Sequence, residues 1–148
     1  MLPRTAFALL LLAIAPGAVA RTCQVAVGSD DAMRFDTAEI RLAGDCTRIE
    51  LTLRHEGKRS VTAMGHNWVL AKTADVRPLA IAGQRAGATG GYLPRDDARI
   101  IAHTKLVGGG ESTTVAFSTT RLRKGGDYTF FCSFPGHWNL MKGKLVFG

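Results

Sequence analysis

The stretch Tyr128-Thr-Phe-Phe-Cys132-Ser-Phe-Pro-Gly-His137-Trp-Asn-Leu-Met141 runs from a strand into a tight loop, and strand character resumes at Lys144-Leu-Val-Phe147. Aromatic, β-favouring residues fill Tyr128 to Phe131, and Pro135-Gly136 is a turn signal. The loop carries a thiol at Cys132, an imidazole at His137 and a thioether at Met141. A soft thiolate, a borderline imidazole and a weak thioether together suit copper. Such ligation needs a second imidazole, and Met64-Gly-His66-Asn-Trp68 supplies a candidate in His66.

Upstream, residues 1–20 read as a cleaved secretory signal peptide. Arg4 is the charged start, Ala6 to Ile14 the apolar run, and Ala18-Val-Ala20 a small-residue cleavage site. The apolar run is short for a membrane span, so residues 21–148 are expected to form one exported, soluble domain without stable membrane insertion. The chain holds 19 Lys and Arg against 12 Asp and Glu. Removing Arg4 with the leader leaves 18 against 12, about +6. The basic residues are scattered with no aromatic-lined stripe, which argues against a nucleic-acid role and biases the surface towards acidic partners.

Three cysteines in an exported chain leave one over after pairing. Cys23 and Cys46 lie near the start of the domain, far from the metal candidates. Pairing them would close a loop of roughly 24 residues, worth on the order of 3 kcal/mol. A lone cysteine is commonly an apolar filler; His137 and Met141 at short fixed spacing favour a ligand role for Cys132.

The remaining pattern is mostly β. Ile49, Leu51 and Leu53 alternate with Arg48, Glu50, Thr52 and Arg54, as in a strand with one buried face. Similar runs fall at Thr22–Val27, Phe35–Leu42, Val61–Leu70, Ala98–Thr104, Thr113–Ser118, Asp127–Cys132 and Met141–Phe147. About eight short strands separated by turns predict an all-β Greek-key sandwich or barrel. One short helix is expected after Asp75, a candidate N-cap, with Val76, Leu79, Ala80 and Gly83 on one face and Gly87 at its end. In Val61–Leu70, His66 shares its parity with Met64, Trp68 and Leu70, which directs it into the apolar interior near one end of the sandwich.

Met64-Gly-His66-Asn-Trp-Val-Leu70, Arg99-Ile-Ile-Ala-His-Thr-Lys-Leu106 and Phe130-Phe-Cys-Ser-Phe-Pro-Gly-His137, followed by Leu140-Met-Lys-Gly143, resemble the azurins, periplasmic blue-copper proteins of cupredoxin fold. The likeness covers the whole domain, including the helical flap. Four residues separate Cys132 from His137 and three separate His137 from Met141; plastocyanin-like relatives place the histidine closer to the cysteine. The resemblance implies one type 1 copper ion held by His66, Cys132 and His137, with Met141 as weak axial ligand and the Gly65 carbonyl on the opposite side. It also implies a Cys23–Cys46 disulfide, bracing of the thiolate by Asn67 and by the backbone N–H of Phe134, and non-ligand roles for a buried His55 and an exposed His103. The implied function is a monomeric one-electron carrier, not an enzyme, that serves c-type cytochromes or a periplasmic reductase or dehydrogenase. Its docking patch around His137 would comprise Met33, Met64, Pro135, Gly136, Trp138 and Leu140. Arg59, Trp138 and Asn139 depart from the family's pattern at the rim of that patch.

Other functions fit the residues less well. A multicopper oxidase needs several more histidines than the four present. A zinc hydrolase gains nothing from Met141, and a Cys132 nucleophile lacks an accompanying oxyanion-hole signal. A copper-delivery protein shares the soft ligands, yet Cys-x-x-Cys or methionine-rich exposed ligands are missing from the sequence.

Overall fold

The structure, a computed structural model, describes residues 20–148. The leader read over 1–20 lies, all but its last residue, outside them. Nine strands are present among the described residues: β1 Thr22–Asp30, β2 Arg34–Phe35, β3 Glu39–Leu42, β4 Arg48–His55, β5 Val69–Lys72, β6 Ala102–His103, β7 Ser112–Ser118, β8 Tyr128–Phe131 and β9 Lys142–Phe147. They form a sheet of order β2-β1-β4-β7 and a second of order β3-β9-β8-β5-β6. Pairing is mixed, with β1 parallel to β4 and β3 parallel to β9.

Alternation decides which face each strand buries. Ile49, Leu51 and Leu53 of β4 are buried, as are Ile40 and Leu42 of β3 and Leu145 and Phe147 of β9; they meet Trp68, Leu70 and Phe130 between the sheets. Strand β5 is buried on both faces. Its Leu70 enters this main core, whereas Val69 and Ala71 face the other way and pack with Val76, Leu79 and Ala80. Those three lie on the helix α2 (Val76–Ala86), which begins and ends where the sequence places it. Asp75 precedes α2 but caps nothing with its side chain, because a turn of 3-10 helix over Thr73–Asp75 already leads into it.

Three expected strands are corrected. Phe35–Leu42 splits in two: Phe35 pairs with Ser29 of β1, while Glu39 onward pairs with β9 in the other sheet. Thr37 makes the crossing, its hydroxyl bonded to both the N–H and the carbonyl of Glu39; such local bonds compete with a continuous ladder. Val61–Leu70 contains a single helical turn, α1 (Val61–Met64), ahead of β5. No strand partners α1, and its residues stay at least partly exposed, so their apolar character found nothing to cover it. Ala98–Thr104 shrinks to Ala102–His103 at a sheet edge.

Cys23 and Cys46 form a disulfide, joining β1 to the segment before β4. Cys132 is the free cysteine, fully buried.

Candidate metal centre

Antiparallel pairing of Val69 with Phe131 sets β5 beside β8. The residues just before β5 and just after β8 therefore meet at one pole of the sandwich, which brings His66 to Cys132. His66 is pinned by two backbone bonds to Val107, its N–H donating to the Val107 carbonyl and the reverse bond returning, each 2.9 Å. Gly65 lies so close to the α1 turn that an added Cβ would press on the Val61 carbonyl.

The loop after Cys132 is closed on itself. The Cys132 N–H donates to the Met141 carbonyl at 3.0 Å, that of Met141 to His137 at 2.8 Å, and that of His137 to Phe134 at 3.0 Å. Gly136 turns this loop at φ +82°, a conformation costly for other residues. Three candidate ligands thus hold one another through their main chain before any ion is considered.

The side chains converge. Nδ1 of His66 lies 3.8 Å and Nδ1 of His137 3.6 Å from Cys132 Sγ, with the Gly65 carbonyl oxygen 3.9 Å from the same sulfur. The three donor atoms fall within 4.8 Å of one another. His66 and Cys132 are 0% exposed and His137 3%. Met141 is buried in the adjoining core.

Neighbouring groups choose the tautomers. His66 Nε2–H donates to the Asp30 carbonyl at 2.8 Å, which leaves the Nδ1 lone pair facing the sulfur. His55 stacks on His66 with ring centroids 4.4 Å apart. Its Nδ1 accepts from the Gly57 N–H at 3.0 Å, so Nε2 donates to the Met64 carbonyl at 2.9 Å, and neither nitrogen is free to ligate. His103 is exposed and bonded to the Thr104 carbonyl, away from the centre.

Asn67 ties the two halves of the site together. Its side-chain oxygen accepts from the Ser133 N–H and its amide donates to the Ser133 hydroxyl, both at 2.8 Å. The backbone N–H groups of Asn67 and Phe134 point at the Cys132 sulfur. Burial pushes the Cys132 thiol up to about 12 despite these two donors. Burial, with the nearby rings of His66 and His55, pushes His137 down to about 4, and burial also lowers His66. At neutral pH the ion-free site therefore presents two neutral imidazoles and a protonated thiol to one dry point. A thiophilic cation that displaces the thiol proton fits this donor set.

Around the site, Pro135, Gly136 and Leu140 are exposed, Leu140 at 69%, while Met33 and Met64 are half-buried. Trp138 is also half-buried and packs against the cluster under α2, including Val69, Leu79 and Phe131. The contribution of the Asp30 carbonyl was invisible in sequence because it is main chain. Ser133 carried no signal beyond its position in the loop.

A family model for copper-binding proteins of the plastocyanin/azurin family matches residues 21–148. The chain belongs to the plastocyanin/azurin family. Within it, azurin-1 of Alcaligenes xylosoxydans xylosoxydans is 47% identical over 123 residues, 83% of this chain and 95% of that one. Azurin of Achromobacter denitrificans is 43% identical over 145 residues, 98% of this chain and 97% of the relative. Among solved structures, an azurin (Az-iso2) from the obligate methylotroph Methylomonas sp. strain J superposes with a TM-score of 0.82 at 42% identity, covering 85% of this chain and 98% of the other. The azurin-like fold, the buried His66, Cys132 and His137 group and these relatives together indicate a single type 1 copper site in a copper-binding electron carrier of cupredoxin architecture.

Proposed function

We propose that the chain is a periplasmic one-electron carrier, exported by the signal peptide at 1–20 and working as a 21–148 domain. In this reading, Nδ1 of His66, Sγ of Cys132 and Nδ1 of His137 would hold copper, with the Met141 thioether and the Gly65 carbonyl as further, weaker donors. The observation that carries it is the convergence of two imidazole Nδ1 atoms on one buried thiol, at 3.8 and 3.6 Å. When bound, copper supplies a one-electron Cu(II)/Cu(I) couple whose ligand geometry suits rapid exchange.

The chain's own residues do the rest. The Asp30 carbonyl holds the His66 ring, Val107 holds the His66 main chain, and Asn67 locks the loop of Cys132 to the segment of His66. Two backbone N–H groups stabilise negative charge on the sulfur. Phe134, whose ring lies 4.7 Å from His137, helps exclude water. A site so braced changes shape little, which keeps the barrier to electron transfer low. The His137 ring, in the loop nearest solvent, is the exchange point. The partners are c-type cytochromes or a periplasmic reductase or dehydrogenase, docking on Met33, Met64, Pro135, Gly136, Trp138 and Leu140 as a complex with a monomer. The net charge of about +6 on the domain favours acidic partners.

Copper loading tests the reading. The oxidised protein should be intensely blue and should bleach with ascorbate, and Cys132→Ser should abolish the band. A colourless complex, or a band untouched by that substitution, would overturn it.

A further inference from the structure

A cleft of about 570 Å³ opens at the pole opposite the metal centre. Lys72, the last residue of β5, pairs there with Tyr128, the first of β8, whereas His66 and Cys132 lie beyond the other ends of the same strands. Four of the lining side chains are cationic, Lys72, Arg99, Arg121 and Arg123, and one is acidic, Asp75. Arg99 is answered by Asp97, which takes two hydrogen bonds from it at 2.9 and 2.6 Å, and by the nearby Asp75. Among the described residues Lys72, Arg121 and Arg123 form no ion pair. Asp127, in an adjoining hollow, accepts from the Thr73 hydroxyl.

The cations are arranged, not merely abundant. The Arg121 guanidinium donates to the carbonyls of Ala98 and Ile100, which fix its position without neutralising its charge. The Tyr128 hydroxyl accepts from the Arg123 N–H at 2.8 Å, and the Thr120 hydroxyl accepts from Ser118 at 3.2 Å. Each therefore keeps its own O–H to donate into the cleft. Unopposed guanidinium and ammonium groups beside two spare hydroxyl donors match a tetrahedral oxyanion.

We propose that this cleft binds a phosphate-type oxyanion, presented either by a free polyphosphate or by a phosphodiester lipid headgroup. Its occupant lies away from the His137 loop, so binding leaves the exchange surface free. Titrating inorganic pyrophosphate into the copper(I)-loaded, isotope-labelled chain from residue 21, at low ionic strength, tests this by NMR. The expected result is a saturable set of amide shifts confined to Lys72, residues 98–101 and residues 120–123. Lys72→Gln and Arg123→Gln should each weaken binding about tenfold, whereas Lys58→Gln, outside the cleft, should not; thermal melts confirm that each variant folds. Flotation with phosphatidylglycerol vesicles is the second arm. Vesicle binding lost in the same two variants identifies a headgroup, and pyrophosphate binding without it identifies a free anion. Shifts that spread without saturation over all basic residues, or affinity for both probes unchanged in the two variants, would overturn the proposal.

Discussion

Asn67 carries more of the site's order than its size suggests. It spans from the segment before β5 to the loop after β8, through two bonds to Ser133. Asn67→Ala would leave the buried Ser133 N–H without its partner. The expected cost is about 2 kcal/mol in urea unfolding of the ion-free chain. Copper affinity should fall by about tenfold or more in a chelator competition, because the loop would no longer hold Cys132 and His137 in register. A variant as stable and as tight as the parent would mean that the loop is ordered by its own main-chain bonds alone. At the same scale, ligand spacing made Cys132 and His137 legible in the sequence, and the need for a second imidazole with strand parity added His66, since each is a side-chain choice with few alternatives. The carbonyl of Asp30 was not legible, because any residue presents one.

At the scale of elements, α2 is held by one apolar face over β5. Leu79 is fully buried in that contact. Leu79→Ala should cost about 3 kcal/mol and should speed amide exchange at Val69 and Ala71 before it affects β4. Uniform loss of protection across both sheets would show that the flap is not a separate layer. The segment before β6 carries a pH-dependent contribution. The Arg99 side chain and its backbone N–H hold Asp97 down to about 2. Its folded value lies below the ordinary 3.8, so its stabilisation is fully present above that range and is lost as pH falls through about 2. For a half-buried pair within reach of solvent screening, Asp97→Asn should cost only about 0.5 kcal/mol at neutral pH, and chemical denaturation should show the difference shrink as pH falls towards 2. A difference that persists there would assign the effect to packing. The strand alternation of β4 and the face of α2 were readable because a single period governs each. Val61–Met64 was not: four residues with strand-like composition curl into a helical turn because no strand lies beside them.

At the scale of the molecule, the disulfide ties β1 to the segment entering β4 and removes freedom from the unfolded chain. Reducing it should lower stability by about 3 kcal/mol while leaving the metal centre's spectrum unchanged, since Cys23 lies near the start of β1 and the Asp30 carbonyl that meets His66 lies at its end. The Greek-key class was legible from strand count and turns. The division of residues 35–42 between two sheets was not, because only long-range pairing decides where a strand stops and crosses. Copper binding here depends on two imidazoles and one thiol meeting at one pole, so the most direct measurement is X-ray absorption at the copper edge of the loaded protein. The expected first coordination shell is one short sulfur and two imidazole nitrogens, with the short sulfur lost in Cys132→Ser and one imidazole lost in His66→Ala. A shell of oxygen and nitrogen alone in the parent protein, or one unchanged by either substitution, would contradict it.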